Sequence, residues 1–461
     1  MSKLASLNTL ENWIDSYLNF EKTPKKNIFW LDTMKFFCQK FGHPENYAPC
    51  FHVGGSKGKG SISAFISYIL DAAGFKTGLY TSPHILDFIE RVASAHGYFE
   101  ASAYDAAVSE IMNGVQSISS EELPGQRPIT WFELVTLFGF LVFRQAKVDY
   151  SVYEVGLGGK LDSTNVVDPI CACIGPIELE HTEFLGDTVE KIAGEKAGII
   201  KKDRPVVVAK QVPSVKKVFQ DEAKSKNAQI FFVDEEISNL CFDYDEGMRI
   251  SFESKHFSRP IQAKLKLLGE FQAWNAAQAA LAVKIAVPQI TEEQIEAGLE
   301  KATLPARFET IKNPAGFNKI PMLILDGAHT VNSIRFTLET MENVFKKNKT
   351  DSKNLSFHLL FAAAADKDVA DIAPLFQNKF EKITLTIPGT VKQSNLAAVE
   401  EAFSKAGMDF CSDADYPEQI KKALELASAS KSVLLVTGSF YLVSEVKKTL
   451  GTRLPTPQVT S

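Results

Sequence analysis

The chain has 461 residues, of which 45% are hydrophobic and 23% charged, and its formal net charge is −6. This length exceeds what one hydrophobic core usually organises, so two or three domains are expected. The average composition excludes disordered, collagen-like and coiled-coil classes. The negative net charge argues against a nucleic-acid or lipid-surface partner.

The N-terminal segment carries leucines and aromatic residues at helical spacing between acidic residues, which predicts a helix and not a signal peptide. The most apolar longer stretch, 131–143, is too short to span a membrane. The six cysteines include no C-x-x-C pair, so reduced core thiols are expected. These features predict a cytoplasmic protein without a membrane segment.

Short apolar or β-branched runs alternate with longer amphipathic segments, which is typical of a parallel sheet with crossover helices. In the first part of the chain, the predicted strands are 50–53, 77–80, 150–155, 170–175 and 205–209. Aromatic and β-branched runs broken by turn residues then predict a small antiparallel sheet between 230 and 268. Two predicted helices follow, 270–287 and 291–302.

A domain boundary is predicted at 304–307, where Pro305 disfavours helical backbone in the residue before it. The alternation then restarts, with predicted strands at 322–326, 356–361, 382–387 and 432–437. The predicted fold class is α/β. Residues 1–303 would form a mostly parallel sheet with helices on both faces and the antiparallel appendage, and residues 304–461 a smaller α/β domain. The terminal segment, 452–461, is expected to fray.

A glycine-rich segment, 54–61, joins the first predicted strand to a segment with helical spacing. In this context backbone N–H groups and a helix N-terminus can hold phosphate oxygens, and Lys59 can reach the β- and γ-phosphates. Ser61 is a candidate helix cap or magnesium ligand. The standard spacing is not met, because Val53 stands at its first glycine and Gly60 separates Lys59 from Ser61. A simple glycine-rich turn is the alternative.

Three further polar residues are candidates for the site, two of them after predicted strands and one in a predicted helix. Glu154 lies at the carboxyl end of a strand, where doubly wound sheets bind ligands, so it is either a magnesium ligand or a solvent-facing strand end. His181 lies in a polar loop after the next strand, and a structural role is its alternative. Lys196 lies in a predicted helix, and its position alone indicates a solvated face.

Ten ordered blocks, spread over nearly the whole chain, resemble the folylpolyglutamate synthase/dihydrofolate synthase family. This family is part of the wider Mur ligase group of ATP-dependent amide-forming enzymes. The blocks are GGSKGKGS (54–61), YTSPHILDFIERV (80–92), ITWFE (129–133), EVGLGGKLDSTNVV (154–167), LEHTEFLGDTVEKIAGEKAGII (179–200), GEFQAWNAAQAAL (269–281), LPARFE (304–309), LDGAH (325–329), ADKD (365–368) and VTGSFYLV (436–443).

The resemblance implies an ATP-dependent ligase that adds L-glutamate to a folate or dihydropteroate carboxylate through an acyl phosphate. The ATP contacts it implies are Gly58, Lys59, Gly60, Ser61, Asn275, Arg307, Asp326 and His329. The Mg²⁺ ligands it implies are Ser82, Glu154, His181 and, as an N-carboxylated side chain, Lys196. The catalytic residues it implies are Lys59, Glu154, His181 and Lys196. The acceptor would be held by Thr130, Phe132, Leu161 and Asp162.

The chain departs from the usual family pattern at Ser56-Lys57, Lys160, Glu180 and Thr330-Val331. The last departure, after His329, leaves the binding of the acceptor amino acid open. Two alternatives from other classes are a cell-wall Mur-type amide ligase and a non-catalytic nucleotide-binding regulator. The choice between dihydropteroate and folate also stays open, and a monomer is expected.

Overall fold

The computed structural model describes residues 5–19, 30–244, 247–346 and 355–451. The predicted fraying of 452–461 falls outside the described residues. Within the described ranges, no helix combines the length and the apolar character that crossing a bilayer requires.

The first sheet has seven strands in the order β3-β2-β4-β1-β5-β6-β7, and only its edge strand β3 runs antiparallel to its neighbour. Their bounds are β1 (Cys50–Gly54), β2 (Thr77–Tyr80), β3 (Val92–Ala93), β4 (Tyr150–Glu154), β5 (Cys171–Ile174), β6 (Val206–Val208) and β7 (Ile230–Phe232). Because β4, β1 and β5 are adjacent and parallel, the residues that follow them meet at one edge of the sheet.

Helices cover both faces of this sheet, as predicted. They are α1 (Ala5–Ile14), α2 (Asp32–Lys40), α3 (Lys59–Ala72), α4 (Ala101–Gln116), α5 (Trp131–Gln145), α6 (Thr182–Leu185), α7 (Val189–Ala197), α8 (Pro213–Ser225), α9 (Val233–Glu236), α10 (Glu270–Ala286) and α11 (Glu292–Lys301). α3 packs with α10 and α11 on one face, while α4 and α5 share a second core with strand residues such as Tyr153. The apolar segment 131–143 is therefore a buried core helix.

The antiparallel appendage consists of β8 (Ser238–Tyr244), β9 (Met248–Glu253) and β10 (Ile261–Leu265). The prediction that the whole segment 230–268 forms this sheet is wrong at its start, because β7 pairs in parallel with β6. The sequence gives the physical reason. Ile230-Phe231-Phe232 is apolar at every position, which suits a strand covered on both faces, whereas β9 and β10 alternate inward and outward residues.

The C-terminal sheet has six strands in the order β11-β12-β16-β13-β14-β15, with β11 antiparallel at one edge. The strands are β11 (Glu309–Ile311), β12 (Leu323–Leu325), β13 (Phe357–Phe361), β14 (Lys382–Leu385), β15 (Cys411–Ser412) and β16 (Val433–Thr437). The helices are α12 (Val331–Lys346), α13 (Val369–Ile372), α14 (Leu396–Lys405), α15 (Tyr416–Ser430) and α16 (Phe440–Thr449). The α/β fold class is confirmed.

The expectation of core thiols is correct for four cysteines and wrong for two. Cys38, Cys50, Cys171 and Cys173 are buried, whereas Cys241 and Cys411 are exposed. Both exposed residues lie on edge strands of their sheets, where one side chain in two faces outward.

Candidate active site

A cavity of about 730 Å³ lies between the two sheets and is lined from both. Fifteen of the sequence-predicted site residues line it. They come from the phosphate loop, from the loops after β2, β4 and β5, from the start of α5, from α10, and from the segments around β11 and β12. Lys196 alone among the predicted residues does not line the cavity. The fold thus gathers residues from position 58 to position 329 around one space.

The phosphate loop turns sharply between β1 and α3, and two of its glycines are required by space and backbone conformation. A Cβ at Gly55, where φ is +133°, would lie 2.8 Å from the Gly175 nitrogen. A Cβ at Gly58, where φ is +80°, would lie 2.7 Å from Asn275 Oδ1. Larger residues would therefore push the loop away from the helix N-terminus that attracts anions.

Lys59 is the first residue of α3, and its Nζ donates a hydrogen bond to the Gly55 carbonyl at 3.1 Å. Gly58 occupies the N-cap position and no side chain caps the helix. The suggestion that Ser61 caps this helix is therefore wrong, because Ser61 already lies inside the first turn. Ser61 lines the cavity, and its alternative assignment as a magnesium ligand stays a prediction.

Glu154 lies between the phosphate loop and Ser82. One of its oxygens accepts a hydrogen bond from the Ser82 nitrogen at 3.1 Å, and a Cβ at Gly60 would lie 3.6 Å from both oxygens. The residue is 4% exposed, which excludes a solvent-facing strand end. Burial raises the pKa of this carboxyl, and Lys59 opposes the rise. A buried carboxylate that accepts so few hydrogen bonds is suited to binding a cation.

His181 lines the cavity with its backbone in the left-handed region, at φ 47°. Such conformations are uncommon outside glycine and concentrate at functional sites. Desolvation lowers the pKa of His181, and the neighbouring Glu180 carboxylate works in the opposite direction. The imidazole is therefore neutral near pH 7 and can offer a nitrogen lone pair.

Lys196 is only 2% exposed, so the expectation of a solvated face is wrong. Its Nζ donates to the Gly55 carbonyl at 2.9 Å and to Glu180 Oε1 at 3.0 Å. Burial lowers the pKa of Lys196 to about 8, with Lys59 adding to the effect. The sequence contained a signal for this burial, because the apolar Ile192 precedes Lys196 by four residues and so lies on the same helix face.

The described residues include no group of three or more Asp, Glu, His or Cys side chains that could hold a metal ion. Mg²⁺ does not require one, since it is usually bound through one or two carboxylates together with water and substrate phosphates. The buried Glu154 carboxylate beside Ser82 and the phosphate loop fits this kind of site.

The second domain contributes Arg307, Asp326 and His329 to the cavity. The Arg307 guanidinium stacks on the Phe440 ring at 4.3 Å. Asp326 accepts hydrogen bonds at 2.7 Å from the backbone nitrogens of Phe308 and Ala328 and so shapes both loops. Nδ1 of His329 donates to the Gly327 carbonyl at 2.7 Å, while burial and Lys57 lower the pKa of His329 to about 4.

The departure at Thr330-Val331 forms a normal helix start. The Thr330 hydroxyl accepts a hydrogen bond from the Ser333 nitrogen at 3.4 Å, and α12 begins at Val331. Threonine is a favoured N-cap residue. The backbone after His329 therefore leads directly into α12.

The predicted acceptor residues line one end of the cavity. Thr130 forms a capping box with Glu133 at the start of α5, so its hydroxyl already has a structural partner. Phe132 packs so closely on the next loop that a Cβ at Gly156 would lie 2.5 Å from its ring. Leu161 is exposed, and Asp162 is buried and holds the 156–164 loop through its hydrogen bonds.

The cavity is also lined by residues that were not predicted as site residues, among them Lys57, Gln272 and Phe440. Lys57 lies 4.0 Å from Glu180 Oε2. Gln272 accepts from Asn275 at 3.1 Å, while its own buried amide nitrogen has no partner among the described residues. Phe440 supports Arg307. Lys57 is one of the positions at which the chain departs from the family pattern. Gln272 and Phe440 lie in the blocks 269–281 and 436–443 that resemble the family, but their residue types alone did not distinguish them from core residues.

Two protein-family models match this chain. The Mur ligase middle domain matches residues 53–283, and the Mur ligase glutamate ligase domain matches residues 306–440. The chain is therefore built as a Mur ligase, with the phosphate loop in the first matched region and Arg307, Asp326 and His329 in the second.

The dihydrofolate synthase/folylpolyglutamate synthase of Bacillus subtilis is 31% identical to this chain, over 95% of this chain and 98% of its own length. The Mycobacterium tuberculosis folylpolyglutamate synthase complexed with ADP and AMPPCP superposes with a TM-score of 0.84 at 25% identity, covering 98% and 100% of the two chains. Escherichia coli FolC in complex with DHPP and ADP superposes with a TM-score of 0.77 at 26% identity, and the match covers 96% of this chain and 97% of FolC. The chain belongs to the folylpolyglutamate synthase/dihydrofolate synthase family of Mur ligases, which confirms the resemblance.

Proposed function

We propose that this chain is an ATP-dependent ligase that joins L-glutamate to a carboxylate of folate, of dihydropteroate or of both through an acyl phosphate. The observation that carries the proposal is the shared cavity, because a phosphate loop, the acceptor region at Phe132 and the second-domain residues Arg307 and His329 all face it. The γ-phosphate, the acceptor carboxylate and the attacking amine must meet in one place. The proposal is supported by relatives whose structures were solved with ADP and AMPPCP or with DHPP and ADP.

The phosphate loop would hold the triphosphate of ATP. Its backbone N–H groups at the start of α3 would donate to the phosphate oxygens. Lys59 would leave the Gly55 carbonyl and neutralise charge on the transferred phosphoryl group. Arg307, held in place by Phe440, would supply a forked contact from the other domain. Asn275 leaves no room for a side chain at Gly58, and it would help to fix the loop.

Mg²⁺, when bound, would neutralise phosphate charge and orient the γ-phosphoryl group for in-line transfer. Glu154 and Ser82 would hold one ion beside the phosphate loop, and the neutral His181 would offer its imidazole nitrogen. Glu154 is buried and faces the loop, so its charge can act on a bound phosphate with little screening by water.

Lys196 would act as an N-carboxylated lysine, an anionic oxygen ligand in the same site. Carboxylation requires the neutral amine, which attacks CO₂ and loses a proton. A lysine with a pKa of about 8 supplies that form far more often than one in water. As an ammonium ion, Lys196 would repel a magnesium ion, whereas the carbamate offers the oxygen donors that Mg²⁺ prefers.

In the reaction, an oxygen of the acceptor carboxylate attacks the γ-phosphorus of ATP and ADP leaves. The deprotonated α-amine of glutamate then attacks the acyl carbon, and phosphate leaves as the amide forms. Closure of the two domains about 304–307 would exclude water from the acyl phosphate. Both domains of one chain line the cavity, which supports the expectation of a monomer.

The two alternatives fit less well. A cell-wall Mur-type ligase would not be expected to match folylpolyglutamate and dihydrofolate synthases along almost its whole length. A non-catalytic nucleotide-binding regulator would need the phosphate loop, but it would have no need of Glu154, His181 and the buried Lys196 beside it.

Steady-state release of ADP and phosphate tests the proposal. The assay uses MgATP and L-glutamate with either dihydropteroate, tetrahydrofolate or a UDP-N-acetylmuramoyl peptide as acceptor. We expect glutamate-dependent release with at least one of the two pteridine compounds and none with the muramoyl peptide. Release with the muramoyl peptide alone, or no release with any acceptor, would contradict the proposal.

A further inference from the structure

His52 is a buried histidine that the proposed chemistry does not use. It lies in β1, two residues before the strand runs into the phosphate loop at Gly54, and it is 0% exposed. Its Nε2 lies 2.8 Å from the Thr164 hydroxyl, and its Nδ1 has no hydrogen-bond partner among the described residues. The imidazole therefore makes one hydrogen bond, and that bond is directed at the loop after β4.

The direction of the hydrogen bonds follows from the number of available protons. The Thr164 hydroxyl donates its single proton to Asp162 Oδ1, so it can only accept from His52. Nε2 of His52 must then carry the ring proton. The result is a linear relay in which His52 donates to Thr164 and Thr164 donates to Asp162.

Asp162 receives hydrogen bonds from donors on both of its oxygens. Oδ1 also accepts from the Thr164 nitrogen at 2.9 Å, and Oδ2 accepts from the nitrogens of Gly156 and Leu157, both at 3.0 Å. Burial raises the pKa of Asp162, and the four donors oppose that rise because they favour the ionised carboxylate. The same bonds fix the loop on which Phe132 packs at Gly156.

An apolar side chain at position 52 would fill the core without leaving a buried nitrogen unpaired, and buried polar atoms without partners are rare in native proteins. We propose that His52 and Thr164 are positioning residues of the acceptor site, a relay that holds Asp162 and its loop in the arrangement that binds the pterin-bearing substrate. This inference rests on the proposed function, and it assigns the relay to acceptor binding and not to ATP binding.

Two matched pairs of variants test the relay. Thr164→Val removes the hydroxyl with little change in shape, while Thr164→Ser keeps it. His52→Leu removes the ring proton, while His52→Gln places an amide N–H near the position of Nε2. The measurement is KM for the acceptor that the wild type turns over, dihydropteroate or tetrahydrofolate, alongside KM for ATP and the melting temperature.

We expect Thr164→Val and His52→Leu to raise the acceptor KM at least tenfold with the ATP KM within twofold of wild type, and Thr164→Ser and His52→Gln to stay within threefold for both. His358→Leu is the control, because His358 is also a strand histidine, 3% exposed, whose ring nitrogens have no hydrogen-bond partner among the described residues. It should leave both KM values unchanged.

An unchanged acceptor KM in Thr164→Val and His52→Leu would overturn the relay alone, as would parallel rises in both KM values or a His52→Gln enzyme as impaired as His52→Leu. A wild-type enzyme that turned over neither acceptor would instead overturn the proposed function, and the relay with it. The two failures are therefore distinguishable.

Discussion

Lys59 and Lys196 donate hydrogen bonds to the same backbone oxygen, the carbonyl of Gly55, at 3.1 and 2.9 Å. Two ammonium groups that share one acceptor repel each other, and the repulsion is weakly screened in a buried site. After burial, Lys59 is the next cause of the lowered pKa of Lys196. N-carboxylation would turn this repulsion into attraction, since the modified Lys196 is an anion.

We therefore expect Lys196→Ala to be nearly inactive and short carboxylic acids such as acetate to restore part of its activity by occupying the vacated space. Lys196→Arg should remain inactive, because arginine keeps its positive charge. Carbon-13 NMR of wild-type enzyme equilibrated with labelled CO₂ should show a carbamate signal that both variants lack. An active Lys196→Arg enzyme would contradict the assignment.

Lys59→Ala should bind the folate-type acceptor nearly normally and lose turnover by roughly a hundredfold or more, the effect of removing one preorganised charge contact. Steady-state kinetics with saturating acceptor give this value. Lys217→Ala is a suitable control, because Lys217 is an exposed lysine paired with Asp221 on α8. Turnover of Lys59→Ala within threefold of wild type would exclude the assigned role.

Glu154→Gln and His181→Ala should each raise the Mg²⁺ concentration needed for half-maximal activity. If both side chains act on one metal site, the penalty in the double variant should fall well short of the sum of the single penalties. Additive penalties would mean that the two residues act separately. Circular dichroism of each variant checks that the fold is intact.

Low pH should destabilise the protein in part through His52. Burial lowers the pKa of His52 to about 3 in the folded state, whereas an unfolded histidine titrates near 6.5. Below about pH 6.5 the unfolded chain binds a proton at His52 that the folded protein does not bind. The stability of the folded state therefore falls as the pH decreases towards 3. Between pH 6 and 4 the free energy of unfolding should fall by about 1.4 kcal/mol per pH unit more in wild type than in His52→Leu. Urea titrations at several pH values measure this difference, and equal slopes would contradict it.

Local patterns predicted the sheets well, because most central strands are short runs rich in apolar residues that alternate with longer amphipathic segments. β1 and β4 match their predicted bounds to within one residue. The edge strands β3 and β15, of two residues each, carried no such signal. β7 was assigned to the wrong sheet because pairing partners depend on contacts distant in sequence, which periodicity does not encode.

The candidate site was less accessible to the sequence than the fold. Strand-end logic placed Glu154 beside the phosphate loop, but the roles of Asn275, Arg307 and Asp326 came only from the family resemblance. The relay from His52 to Asp162 joins residues more than a hundred positions apart, and it became visible only from hydrogen-bond geometry.

The formation of an acyl phosphate on the acceptor carboxylate can be measured directly with isotope. Acceptor labelled with oxygen-18 in its reacting carboxylate is turned over with MgATP and L-glutamate, and the released phosphate is analysed by mass spectrometry. We expect one oxygen-18 atom in each phosphate, because the carboxylate oxygen that attacks the γ-phosphorus leaves with it when the amine displaces phosphate. Phosphate without label, released together with glutamylated product, would contradict the mechanism.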